Sequence, residues 1–205
     1  MLELLSMSLK RGVVAFLVAI SMFASSVAFA AEGQKLNILL NVPFFHQYNS
    51  LSDYNKQLAE KTACGPTAAA IMLQNEGMNV DVNDVLAIIP NSIYQPKVGF
   101  YQMDEFAPYF NKEAVMMEFS HKNIYETLNQ GKVVFLNIKN YDSGYGHAMV
   151  IVGMKGFDGV KAESLIVHDV FVGPYREFKF ISYDTLRQPE GQVNYINKSL
   201  LFYIK

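Results

Sequence analysis

The chain has 205 residues, 17 basic and 19 acidic side chains, and hydrophobic residues at 51%, which suits one domain and excludes a disordered tail or a basic nucleic-acid binder. One cysteine excludes an internal disulfide framework and a four-cysteine zinc site. Gly 13 and Pro 7 are too few for a collagen-like or low-complexity chain.

Residues 1–30 read as a secretory signal peptide. Lys10 and Arg11 precede an apolar run from Gly12 to Ala24, and Ala28-Phe29-Ala30 supplies small residues for cleavage after Ala30. Ser21, Ser25 and Ser26 weigh against a retained membrane anchor. The expectation is an exported protein, periplasmic or secreted, with residues 31–205 as its single domain. That domain carries 15 basic and 18 acidic groups. Export leads to oxidising surroundings, where a lone thiol calls for an explanation.

Residues 36–42 predict a buried strand ended by Pro43. The stretch from Gln47 to Lys61 is too polar for core. Pro66 to Glu76 places Ala68, Ile71 and Met72 at helical spacing, with Gly77 as the stop. Asp81 is a cap for a short helix from Val82 to Ile89 rather than part of a calcium loop. Gln102–Phe110 and His121–Gln130 are further short helices, the second bounded by Ser120 and Gly131. The texture then changes to β-rich runs at Lys132–Lys139, His147–Met154, Glu163–Asp169, Arg176–Ile181 and Ser199–Ile204, divided by Gly, Asn and Asp turns. Helices followed by strands predict an α+β domain, with N-terminal helices packed on a mainly antiparallel sheet. The aromatic middle segment, including Tyr94, Phe100, Tyr101, Phe106, Tyr109 and Phe110, reads mostly as core, with one or two residues available to wall a groove.

Cys64 is the residue with the most chemistry. In Ala63-Cys64-Gly65-Pro66 it stands where a helix begins, and free amides and the helix dipole favour an anion there by about 1–2 kcal/mol. A histidine partner does more, since paired thiols fall from about 8.5 to about 3–4. Cys64 is therefore either a nucleophile served by a histidine or a small buried hydrophobe. Among His46, His121, His147 and His168, the third stands out because it opens an apolar strand after the flexible loop 142–146. Asp169 ends the next strand, where a carboxylate can fix an imidazole tautomer. His46 and His121 read as surface residues. Strand alternation turns His168 away from Asp169. The histidine spacings suit no zinc site.

The segments NVPFFHQ, ACGPTAAAIML, GHAMVIVG and VHDV, in that order, resemble the bacteriocin-processing, double-glycine-leader peptidases, which are papain-like cysteine peptidases. The similarity runs from about Leu36 to Ile204. It implies a papain-like fold, with Cys64 as nucleophile, His147 as general base and acid, Asp169 as the orienting residue and Gln47 as the oxyanion-hole side chain. It implies a peptide or protein substrate and neither cofactor, metal, nucleic acid nor, once the leader is removed, membrane. Two features depart from the family pattern. A polar insertion separates Gln47 from Cys64, and Val170 follows Asp169 where the family commonly has proline. The same fold and triad also suit a non-catalytic peptide-binding module, or an amidase or transpeptidase acting on cell wall.

Overall fold

The computed structural model describes residues 35–59, 62–100, 102–142 and 145–205; the leader reading and Tyr101 lie outside them. Among the described residues, ten strands and four α-helices are joined by short irregular stretches. The helices are α1 (Asp53–Ala59), α2 (Cys64–Asn75), α3 (Val82–Ile88) and α4 (His121–Asn129). No helix among the described residues is long and apolar enough to cross a membrane.

Punctuation residues set the helix ends. Gly77 has φ +80 and follows α2, where the Gly77 and Met78 amides donate to the Gln74 and Leu73 carbonyls and close the helix. Asp81 and Asp84 form a reciprocal capping box at α3. Ser120 Oγ accepts from the Asn123 amide at α4, and Gly131 stands beyond its end with φ +77. α1 falls in the stretch read as merely polar, and only its Ala59 is buried. Gln102–Phe110 forms two 3-10 turns, Met103–Glu105 and Ala107–Phe110, rather than one helix. Pro108 lacks the amide needed to continue a helix through the second turn.

The sheet is antiparallel throughout. Six strands join edge to edge: β5 (Val134–Asp142), β6 (Tyr145–Phe157), β7 (Ser164–Asp169), β8 (Gly173–Ser182), β9 (Thr185–Arg187) and β10 (Val193–Ile204). Because β6 pairs with both β5 and β7, the ring closes into a barrel. β1 (Leu36–Leu39) and β4 (Ala114–Met116) are added to β6 and β10 respectively, while β2 (Tyr94–Gln95) and β3 (Gly99–Phe100) pair with each other. The expected antiparallel sheet is present, but closure had no local sequence signal. The expected burial of the first strand is corrected: Leu36 and Leu39 are 41% and 61% exposed, because β1 is an added edge strand.

Two apolar clusters flank the barrel wall. One fills the interior between β-strands and α4, around Leu136, Met149, Val167, Phe178 and Leu201. The other joins α2 and α3 to the outer face, through Ile71, Phe135, Val150, Ile166 and Phe202. Every residue of α2 from Cys64 to Leu73 is buried. A helix with no polar face must be enclosed on all sides, and this enclosure presses its N-terminus against β6.

Candidate active site

Cys64 is the first residue of α2, and Ala63, the cap residue, makes no side-chain bond to the free first-turn amides. The helix terminus is therefore open to the sulfur rather than satisfied by a Ser or Asp cap. Gly65 leaves no space for a side chain: a Cβ there would lie 2.6 Å from Phe100 Cδ1 and 3.1 Å from Met103 Sδ. The glycine thus allows β3 and the following turn to close over the sulfur's flank.

His147 lies near the start of β6, opposite Ile138 of β5. Its Nε2 donates to Asp169 Oδ1 at 3.0 Å. Cys64 acts on the same ring as a hydrogen-bonding and charged partner. The Tyr141 ring stacks on the imidazole with centroids 4.0 Å apart, and Asn137 Nδ2 donates to the His147 carbonyl at 3.2 Å. Position, tilt and tautomer of the ring are all constrained.

Asp169 ends β7 and is fully buried. Tyr141 Oη and Arg176 Nη1 donate to its Oδ2 at 2.8 and 2.6 Å. The amides of Phe171 and Val172 approach Oδ1 at 3.2 and 3.4 Å. The carboxylate is therefore anchored from the β7–β8 turn as well as from β5 and β8. Burial alone would push its pKa up, but the bonds from His147, Tyr141 and Phe171 hold it below its ordinary range.

Burial also acts most strongly on the thiol and the imidazole, and in each case it loses. It pushes Cys64 up, yet the His147 hydrogen bond and charge, with the Ala148 and Gly65 amides, bring the thiol below its ordinary 9.0. It pushes His147 down, yet Asp169 and Cys64 raise that ring to about 9. The opposed shifts favour movement of a proton from sulfur to nitrogen, the direction that a thiolate beside an imidazolium requires.

Gln47 is 3% exposed, and its backbone N–H donates to the Val170 carbonyl at 2.7 Å, so the chain does fold back to the end of β7. Gln47, Cys64 and His147 share one cleft of about 610 Å³, walled by Phe100, Tyr145 and Phe171 among others. All four sequence-selected residues thus converge, and Phe100 meets the expectation that one aromatic walls a groove. Tyr141 and Arg176 were not selected. Tyr141 lies beyond the strand expected at Lys132–Lys139, and nothing local marked Arg176.

The remaining histidines sit elsewhere. His168 Nε2 bonds the Val42 carbonyl at 3.0 Å and Nδ1 accepts from the Tyr175 amide at 3.2 Å, so it ties β7 to the segment after β1. His46 Nδ1 accepts from the Tyr48 and Asn49 amides within its own turn. The surface reading of His121 is corrected: it is 1% exposed, between the Phe180 and Tyr183 rings at 4.1 and 4.8 Å. Those rings arrive from a hairpin far along the chain, and its helix alone carries no sign of them.

The solved structure of a protein from Bacillus anthracis, provisionally assigned as a C39-like peptidase, superposes with a TM-score of 0.51 at 19% identity, over 83% of this chain and 98% of that one. At that identity the likeness is one of fold. No curated protein matches the chain. The model of the family described as the Peptidase_C39 like family matches residues 39–189, which include Gln47, Cys64, His147 and Asp169. That match takes in most of the chain, and the protein belongs to the Peptidase_C39 like family.

Proposed function

We propose that this protein is an exported, papain-like cysteine peptidase that hydrolyses a peptide bond through Cys64, His147 and Asp169, with Gln47 completing the oxyanion hole. The observation that carries this reading is the meeting of Cys64 and His147 on one cleft, with the His147 ring bonded at 3.0 Å to the buried Asp169 behind it.

In the cycle, the Cys64 thiolate attacks the peptide carbonyl carbon. A C–S bond forms and the carbonyl electron pair moves to oxygen, which the Gln47 side-chain amide and the Cys64 backbone N–H receive. A fixed donor of this kind stabilises the tetrahedral state by about 2.7–4 kcal/mol. The tetrahedral state collapses as His147 gives its proton to the departing amine, breaking the C–N bond and leaving a thioester. Water then attacks while His147 takes one of its protons. The C–S bond breaks, the acid product leaves and the thiolate is restored.

The test is digestion of a mixed peptide library by the chain without residues 1–30, with products identified by mass. Wild-type protein is expected to cleave at defined bonds and Cys64→Ala to leave them intact. Cleavage that survives Cys64→Ala overturns the proposal. Products bearing an added amine would assign transfer rather than hydrolysis.

A further inference from the structure

Arg176, on β8, is the one described lysine or arginine bonded to the Asp169 carboxylate, and its side chain is only 9% exposed. Nη1 holds Oδ2 at 2.6 Å, Nη2 meets the Glu190 carboxylate, and the guanidinium lies 5.4 Å from the Phe178 ring centre. Bond direction fixes the division of labour on Asp169. Oδ1 receives His147, whereas Oδ2 receives Arg176 and Tyr141.

We propose that Arg176 is a positioning residue that anchors and neutralises Asp169, so that the carboxylate aims the His147 ring without leaving an unbalanced negative charge behind it. A bare carboxylate behind the imidazolium would bind the proton too firmly for release to a departing amine, and would also oppose the negative charge on sulfur. A guanidinium on the outer oxygen removes that excess while its planar fork keeps the carboxyl plane fixed. The groups facing this centre are Cys64 from α2, Tyr141 from β5, His147 from β6, Asp169 from β7 and Glu190 from the turn before β10. With sulfur and nitrogen sharing their proton as an ion pair, Arg176 offsets the remaining buried charge, and Glu190 is its solvent-side counter-ion, 62% exposed. The inference rests on Cys64 and His147 being the reacting pair, but its test reads their protonation and needs no peptide cleavage.

The experiment follows the ring signals of isotope-labelled histidine by NMR against pH in the full chain, with the His147 signal assigned by its loss in His147→Asn. In parallel, the rate of iodoacetamide alkylation reports the sole thiol. From a wild-type His147 midpoint of about 9, Arg176→Gln is expected to raise the midpoint by on the order of one unit, because an unbalanced carboxylate favours the imidazolium. The acid inflection of Cys64 alkylation should move in the same direction. Arg176→Lys should return both most of the way. Glu190→Gln should shift His147 downward by a few tenths, the opposite sign, since Arg176 is then no longer shared.

A purely structural role gives a different pattern. Loosening the site would weaken the His147–Asp169 bond and let His147 fall toward its ordinary 6.5. A His147 midpoint that falls or stays fixed in Arg176→Gln, or that Arg176→Lys fails to restore, overturns the proposal. If Arg176→Gln does not fold, Glu190→Gln decides at its exposed position, with a downward shift supporting the assignment and no shift refuting it.

Discussion

Replacing His147 with asparagine gives the most direct test of the thiolate–imidazolium pair. Burial is the largest influence on Cys64 and opposes ionisation; the His147 bond and charge come next and favour it. Their removal leaves the Ala148 and Gly65 amides against burial, so the thiol returns to or above its ordinary 9.0. Near pH 7 a thiol at that value is about 1% thiolate. The variant's rarer thiolate is more nucleophilic by about threefold for each unit of pKa, so a hundredfold scarcity shrinks to a loss in rate of several-fold to about tenfold. Above about pH 9.5, where ionisation no longer limits the variant, its stronger nucleophile should make it the faster protein. The two rate profiles therefore cross. Iodoacetamide alkylation followed by intact-mass analysis measures this cleanly, because the chain has a single cysteine. Coincident profiles between about pH 6 and 7 would refute the argument, since they would mean that His147 does not activate the sulfur.

Gln47→Ala should reduce peptide turnover by about 10²–10³ in kcat while leaving Cys64 alkylation unchanged, because alkylation forms no oxyanion; a parallel fall in both would assign Gln47 to maintaining the thiolate instead. Gly65→Ala places a methyl group 2.6 Å from Phe100 Cδ1, so it should cost about 1–3 kcal/mol in urea denaturation and raise KM by displacing the cleft wall; unchanged stability and KM would show that Phe100 moves freely. Acid should weaken folding through His121 and His168, whose pKa values burial holds below 6.5. As pH falls below that value the unfolded rings take up protons that the folded ones refuse, so stability present at neutral pH is lost toward the folded pKa values, by on the order of 1 kcal/mol per group for each unit of depression. The urea midpoint should decline between about pH 7 and 5, and a constant midpoint would show that both rings are protonated without cost in the folded state.

Local chemistry made much of this architecture legible. Gly77, the Asp81–Asp84 box, Ser120 and Gly131 mark helix ends by mechanisms that operate within a few residues, and they lie where the helices end. Cys64, His147 and Asp169 were legible for a related reason: each stands at or near an element terminus, where a side chain can leave the core and meet others. What stayed hidden depends on pairing across distance. Closure needs β6 to bond β5 and β7 on opposite edges, with a register shift between Ile151 and Gly153, and no apolar alternation encodes it. α1 was hidden because Tyr54, Leu58 and Ala59 are its only apolar residues and only Ala59 is buried, so no apolar stripe marks it. His121 became a core residue only when Phe180 and Tyr183 arrived from β8 and the turn after it. Arg176 looked like any strand arginine until the β7–β8 pairing set it beside Asp169.

These distances bear on what the single thiol of this chain is for. In the unfolded protein nothing depresses Cys64, and at neutral pH it is almost wholly the unreactive thiol. In the folded site the thiol is lowered and the His147 ring is raised to about 9, so the shared proton is drawn from sulfur toward nitrogen. Folding therefore activates the sulfur by giving its proton a place on another of the protein's own groups. Sulfur on a helix in one cluster and imidazole on a strand of the barrel are brought together only by the native topology, so reactivity and native structure appear in the same step. The lowered Cys64 contributes stability that is lost as pH falls through its folded pKa, and the raised His147 contributes stability that is lost as pH rises toward about 9. The neutral range is thus where an activated thiolate can be buried at least expense, and the proposed peptidase should combine its activity and its stability there.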